Sequence, residues 1–260
     1  MKKFINSVDN ILTESLTGFG KAHSDIIKVN LSPDFISRTN RPNIEKVALI
    51  SGGGSGHEPL HGGFVGHGML DAACPGQVFS APTPDQMEAA ANEVHNQKGI
   101  LFIVKNYSGD LMNFEMGADM IEHENATVVV NDDVAVEDST FTTGRRGVAG
   151  TMIVEKTVGS LAETGASLEE CKNFGDHVNK MTGSMGVAFT SCTVPAAGKP
   201  TFDLSADDEF ALEEGPSMDV SAEFSVEGME FDSIEAMEPS FDVGENSSIS
   251  EVRSAILLRD

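Results

Sequence analysis

Lys46-Val47-Ala48-Leu49-Ile50-Ser51 runs straight into Gly52-Gly53-Gly54-Ser55-Gly56-His57-Glu58-Pro59, and this stretch decides the fold. An unbroken apolar run of this length suits a strand buried on both faces, and the glycines after it predict a sharp turn. The same order of events occurs twice more. Ile100-Leu101-Phe102-Ile103-Val104 is stopped by Lys105-Asn106-Tyr107-Ser108-Gly109-Asp110, and Ala126-Thr127-Val128-Val129-Val130 by Asn131-Asp132-Asp133. Helical spacing of apolar residues fills 84–96 and 112–123. Phe4, Ile5, Val8, Ile11, Leu12 and Leu16 predict an amphipathic helix over 4–19. Strand, polar loop and helix in alternation predict an α/β fold with a parallel-rich sheet and covering helices. Ligands of such sheets collect outside the carboxyl ends of the strands. The loops after residues 50, 104 and 130 are therefore expected to be neighbours in space.

Charge divides the chain. Its 260 residues carry 41 Asp and Glu against 17 Lys and Arg, a formal net charge of −24. That balance speaks against a nucleic-acid partner, since phosphate backbones select basic patches. Residues 201–260 hold 17 of the acidic residues, two arginines, and no lysine or histidine. Phe202, Phe210, Phe224, Phe231 and Phe241 recur there among Glu, Asp, Ser and Met with no strand or helix period. Acidic–hydrophobic alternation of this kind is typical of disordered segments, so 213–250 are expected to be poorly ordered in isolation. The expected division is a region over 1–204 and an acidic tail over 205–260.

Cys74, Cys171 and Cys192 lie far apart with no C-x-x-C pair, which gives neither a disulfide framework nor a zinc site and fits a reducing cytosol. Asp9, Asn10 and Glu14 break the opening Met1-Lys2-Lys3-Phe4-Ile5 as a signal peptide, and no run approaches a membrane span. A cytoplasmic protein without membrane contact is the expectation.

The glycine run lets the backbone approach a ligand without Cβ obstruction, and successive N–H groups in a turn can cradle an anion. It is not a lysine-bearing phosphate loop, because His57-Glu58 stands where Lys-Ser/Thr is required. It is not a dinucleotide fingerprint either, because His57 takes the place of the last glycine. His57 is suited to donate a hydrogen bond or move a proton near neutral pH. His61 and His67 follow at spacings of four and six, a weak pattern for a metal centre. Lys105 suits the holding of a polar oxygen, and Asp110 the removal of a proton from an attacking hydroxyl. Asn106, Gly109 and Asp110 are equally the residues of an ordinary turn. Asp132, Asp133, Glu137 and Asp138 suit a solvated loop with a helix cap better than magnesium. Arg145-Arg146 reads as surface at a helix start.

In order and spacing, Ile50–Pro59, Val104–Asp110 with Asn113-Phe114-Glu115, Asn131–Val136, Thr143–Val148 and Cys192–Pro200 resemble the dihydroxyacetone kinase substrate-binding subunit family over residues 1–204. The resemblance implies that dihydroxyacetone is the substrate, phosphorylated on a terminal hydroxyl. Gly54, Ser55, Gly56 and His57 match the family's substrate loop, with His57 as a hydrogen-bonding acid–base residue. Lys105 matches a substrate-contacting lysine, and Asp110 the carboxylate that activates the accepting hydroxyl. The bacterial phosphotransferase-dependent type further implies no cofactor in this chain, ADP and Mg on a partner kinase subunit, and a homodimer. One departure stands out. The family has a histidine, shortly after the stretch matching 200–210, that bonds covalently to the substrate carbonyl. Here Phe210-Ala211-Leu212-Glu213-Glu214-Gly215-Pro216-Ser217-Met218 follows, and the last histidine is His177. A kinase subunit is the leading expectation. The alternatives are a non-catalytic dihydroxyacetone-binding regulatory homologue, or an inactive fragment whose tail is replaced or frameshifted.

Overall fold

The computed structural model describes residues 3–40, 45–136, 142–188 and 191–200, and the strand backbones at 211–212 and 252–258. In chain order the elements are α1 (Ile11–Ala22), β1 (Ile27–Leu31), β2 (Asp34–Arg38), β3 (Lys46–Ser55), β4 (Ala72–Val78), α2 (Pro84–Val94), β5 (Gln97–Lys105) and α3 (Ser108–Asp119). They continue with β6 (Asn125–Val130), α4 (Gly150–Glu163), α5 (Leu168–Met181), β7 (Thr182–Ala188), β8 (Ala211–Leu212) and β9 (Val252–Leu258).

Six strands form one sheet in the order β1-β2-β4-β3-β5-β6. The four from β4 to β6 run parallel, and the β1–β2 hairpin extends the β4 edge antiparallel. Side chains of a strand alternate between faces, so the apolar runs supply both cores at once. Val47, Leu49, Leu101, Ile103, Val128 and Val130 pack on one face against Leu12 and Leu16 of α1, Val154 and Val158 of α4, and Leu168 of α5. Ala48, Ile50, Phe102 and Val104 pack on the other against Met87, Ala90 and Ala91 of α2 and Phe114 of α3. This is the α/β, parallel-rich sheet with covering helices. No helix among the described residues is long and apolar enough to cross a membrane.

Local chemistry sets the boundaries. Thr83 and Gln86 form a reciprocal capping box before α2, with Pro84 at its first turn, and Ser167 with Glu170 does the same for α5. The helix expected over 4–19 is displaced to Ile11–Ala22. Phe4, Ile5 and Val8 have helical spacing but are exposed, with no core face to bury them, and a turn at Asp9-Asn10 precedes the helix.

The glycine run is a second correction. Gly52, Gly53, Gly54 and Ser55 do not turn; they extend β3 and pair in register with Cys74, Pro75, Gly76 and Val78 of β4, with an irregularity at Gly54/Ser55. A Cβ on Gly52 would overlap the Cys74 carbonyl oxygen, and one on Gly54 would lie 2.6 Å from the Ser80 backbone nitrogen. Absence of side chains therefore serves close backbone packing. A strand alternates the direction of its N–H groups, so these residues do not form the anion cradle. The turn comes at Gly56, whose φ of +106° favours glycine.

Buried charges tie the amino end of the sheet to α4. Lys46 Nζ lies 2.7 Å from Asp71 Oδ2, and Arg38 Nη1 reaches Asp71 Oδ1 at 3.1 Å and Glu163 Oε1 at 2.5 Å. Burial alone would raise the Glu163 carboxyl. The Arg38 hydrogen bond and the Lys46 charge overcome that and hold it at about 2.

Beyond β6, Asp132 accepts hydrogen bonds from the Val148 and Gly150 N–H groups, at 2.8 and 2.7 Å, and from the Ser184 hydroxyl at 2.5 Å. The solvated-loop reading is corrected here, for Asp132 and Asp133 are buried; Asp132 holds the front of α4 from outside the helix, while Glu137 and Asp138 lie outside the described residues. Arg146 corrects the surface reading. It is buried, donating from Nε to Asp133 Oδ2 at 2.9 Å, whereas Arg145 is exposed.

A second sheet has the order β8-β7-β9, with β7 antiparallel to both neighbours. Two stretches of the acidic tail thus pair with β7. The expectation of poor order over 213–250 lies outside the described residues.

Candidate functional site

The carboxyl ends of β3, β5 and β6 meet as expected, and Lys105 stands at the junction. It is the last residue of β5, only 4% exposed. The loop after β6 packs onto it: a Cβ on Gly147 would lie 2.8 Å from Lys105 Cα. Asn106 Nδ2 fastens that loop by donating to the carbonyls of Thr143 and Arg145, at 3.0 and 2.7 Å. On the β3 side, a Cβ on Gly53 would lie 3.5 Å from Lys105 Nζ. Burial pushes the Lys105 amine down, and Asp110, Glu155 and Asp132 pull it back up.

Asp110 lies in the first turn of α3, buried, where the chain leaves β5. Burial pushes its carboxyl up to about 6, although the Lys105 charge works in the opposite direction. A carboxyl at that level is a proton acceptor of useful strength near neutral pH.

His57 follows the Gly56 turn, its ring tilted against Phe79 at 4.9 Å between centroids. Surrounding protein atoms, Lys105 and His61 together push its pKa down to about 3. The residue is exposed beyond its contact with Phe79, and its imidazole is neutral at pH 7. Phe79 itself has a φ of +54°, a sparsely populated region for a bulky residue. It backs both Gly54 and Gly56, whose absent side chains make room for it.

The loop residues play unequal parts. Gly54 is half-buried against Phe79 and Ser80. The Gly56 N–H donates to Glu58 Oε2 at 2.9 Å. Ser55 is buried, and its hydroxyl donates to the Gly76 carbonyl at 2.7 Å, so that side chain is turned inward. The three histidines are dispersed. His67 is exposed, 3.5 Å from Glu163, whereas His61 is buried with Nδ1 2.6 Å from Glu155 Oε1. The His61–Glu155 contact, 94 residues apart in sequence, was beyond sequence reasoning; only the position of His61 among glycines drew notice to it.

A cavity of about 1050 Å³ opens on the α1 side of β3, lined by Leu16, Phe19, Gly53, Ser55, His61 and Cys192 among others. Its walls are mostly apolar, and His57, Lys105 and Asp110 do not line it. The cavity lies beside those three residues rather than around them. Gly53 and His61 border both regions.

The Dak1 domain family matches residues 17–215. The chain is 49% identical over 212 residues to the PEP-dependent dihydroxyacetone kinase, dihydroxyacetone-binding subunit DhaK, of Escherichia coli (strain K12), covering 80% of this chain and 59% of that protein. It is 50% identical over 216 residues to the PTS-dependent dihydroxyacetone kinase 1, dihydroxyacetone-binding subunit DhaK, of Listeria innocua, covering 82% and 65%. The chain thus spans less than two thirds of either relative. The crystal structure of the dihydroxyacetone kinase from C. freundii in complex with AMP-PNP and Mg2+ superposes with a TM-score of 0.69 at 36% identity, over 75% of this chain and 37% of that one. A match across most of the chain, joined to this degree of identity, has one meaning: the chain belongs to the Dak1 domain family.

Proposed function

We propose that this chain binds dihydroxyacetone at the mouth formed by Gly54, Ser55, Gly56, His57, Lys105 and Asp110, as the substrate subunit of a dihydroxyacetone (glycerone) kinase. The observation that carries the reading is the meeting of Lys105 with Asp110, a buried carboxyl raised to about 6. In this reading the Lys105 ammonium donates to a ligand oxygen, and neutral His57 exchanges a hydrogen bond with another. Gly54 and Gly56 let the ligand approach the backbone, while Ser55 shapes the loop through its bond to Gly76. The Asp110 carboxylate takes the proton of a terminal hydroxyl as that oxygen bonds to phosphorus. The bond from phosphorus to the donor's bridging oxygen breaks, and that oxygen keeps the electron pair.

No lysine-bearing phosphate loop occurs in the sequence, which supports a nucleotide carried by a partner kinase subunit, ADP with Mg, that is charged there with the phosphoryl group it passes on. The same reading takes 1–204 as the substrate-binding region and 205–260 as an addition to it, in a cytoplasmic homodimer. In this reading hydrogen bonds from His57, Lys105 and Asp110 hold the ligand. A few bonds of about 0.5–1.5 kcal/mol each, somewhat more where charged, give reversible binding on the order of millimolar.

NMR titration with dihydroxyacetone, followed by transfer from a nucleotide-charged donor subunit, tests the reading. Shifts at the amides of Gly54, His57 and Asp110 are expected. Asp110→Asn is expected to lower transfer about 10²–10⁴-fold while leaving binding in place. Binding without transfer would instead make the chain a non-catalytic, regulatory binder, and unchanged amides at saturating ligand would remove the substrate.

A further inference from the structure

His61 lies beneath the glycine strand, 5% exposed, and meets Glu155 from the middle of α4. Its Nδ1 stands 2.6 Å from Glu155 Oε1 and 2.9 Å from Ser51 Oγ. The Ser51 hydroxyl spends its one proton on the Ile103 carbonyl, at 2.6 Å. Both neighbours of Nδ1 therefore offer lone pairs, and Nδ1 carries the ring proton. In the neutral ring Nε2 is then a bare acceptor. That atom is closed off from solvent and has no hydrogen-bond partner, a costly state for a buried polar group.

A donor is close. Nε2 and Lys105 Nζ flank the same glycine, 3.4 and 3.5 Å from the point where a Cβ on Gly53 would stand. Lys105 Nζ also lies 5.6 Å from the centroid of the Tyr107 ring, which bounds it on another side. Glu155 Oε2 is itself buried without a hydrogen-bond partner, so its charge faces the imidazole and the lysine nearby. Solvent cannot reach Nε2, and the absence of a side chain on Gly53 leaves the space between it and Lys105 Nζ open.

We propose that Glu155 and His61 form a positioning dyad that seats the Lys105 ammonium, with His61 Nε2 accepting a hydrogen bond from Lys105 Nζ. Glu155 fixes the tautomer, the tautomer fixes the acceptor, and the acceptor holds the lysine beside the ligand-facing backbone. The charges that act on Lys105 come from three further elements: Asp110 on α3, Asp132 after β6 and Glu155 on α4. Burial and Lys105 together hold His61 below its ordinary pKa against the pull of Glu155. This role rests on the reading of Lys105 as a ligand contact.

The test uses the full chain without ligand or donor. Long-range ¹⁵N–¹H correlation is expected to show His61 as the neutral Nδ1–H tautomer. Selective ¹⁵N-lysine labelling, assigned with Lys105→Arg, follows the titration of the Lys105 amine. Glu155→Gln removes a stabilising negative charge and is expected to move that titration to lower pH. His61→Asn removes the acceptor and is expected to do the same. His61→Gln carries an amide oxygen near the Nε2 position and is expected to restore it. In transfer assays His61→Asn is expected to raise KM about tenfold with a smaller change in kcat. A wild-type Nε2–H tautomer, or a Lys105 titration unmoved in His61→Asn, would overturn the dyad. If His61→Asn does not fold, the wild-type tautomer decides alone. Failure of phosphoryl transfer with these spectra intact would count against the kinase reading only.

Discussion

Asp110 pairs a buried carboxyl with a lysine whose charge only partly compensates for lost water. Its folded pKa of about 6 lies above the ordinary 3.8. Below 3.8 the carboxyl is neutral in folded and unfolded chains alike and leaves stability unchanged. As pH rises from 3.8 to about 6 the unfolded chain ionises while the folded chain stays protonated, so stability falls across that window and levels off above 6. Asp110→Asn should match wild type in urea unfolding near pH 3 and exceed it by about 2–3 kcal/mol near pH 8. Transfer, in contrast, should rise with pH through about 6, since the base must be ionised, and this limb should vanish in the variant. The placement of His57, Lys105 and Asp110 after strands was legible because each belongs to a contiguous motif that follows an apolar run. The inward turn of the Ser55 hydroxyl was not legible, because it answers to the Gly76 carbonyl, a partner visible only once β3 and β4 are paired. His61 and Glu155 were illegible as a pair for the same reason at longer range.

Elements repeat this division between local and distant causes. β3, β5 and β6 could be read because a continuous apolar run suits a strand with both faces covered, and each lies close to its expected span. The glycines at 52–54 point locally to a turn, yet β4 keeps them extended from some twenty residues downstream. Gly52→Ala sets the two causes against each other. Its Cβ would strike the Cys74 carbonyl oxygen, part of the strand paired with it, so neither backbone can move without breaking the ladder. A loss of about 1–3 kcal/mol or more in denaturant unfolding is expected, whereas a glycine in a free turn would tolerate alanine better. α1 shows the converse error: Phe4, Ile5 and Val8 keep the helical period but face no core.

At the scale of the molecule, the change of composition near residue 200 was legible, but the strand partners from the tail were not. The seven residues of β9 pair along the whole of β7, though they come from beyond an acidic stretch with no readable period. Between the two sheets stands Asp132, whose side chain holds the front of α4 and the Ser184 hydroxyl of β7. Its backbone joins in, for the Ser184 N–H donates to the Asp132 carbonyl at 2.8 Å, and the Val134 N–H donates to Ser184 at 2.8 Å. Three segments thus share one fastening and should open as a single cooperative unit. In native-state deuterium exchange, the amides of Val148, Gly150 and Ser184 should have matching protection factors. Asp132→Asn, which turns one acceptor into a donor facing donors, should speed all three together by about 5- to 150-fold, the equivalent of about 1–3 kcal/mol. Faster exchange at Gly150 alone would show that the helix frays by itself. The matched response would make β7 and the sheet it anchors a dependent foldon, released only when the first turn of α4 is released with it.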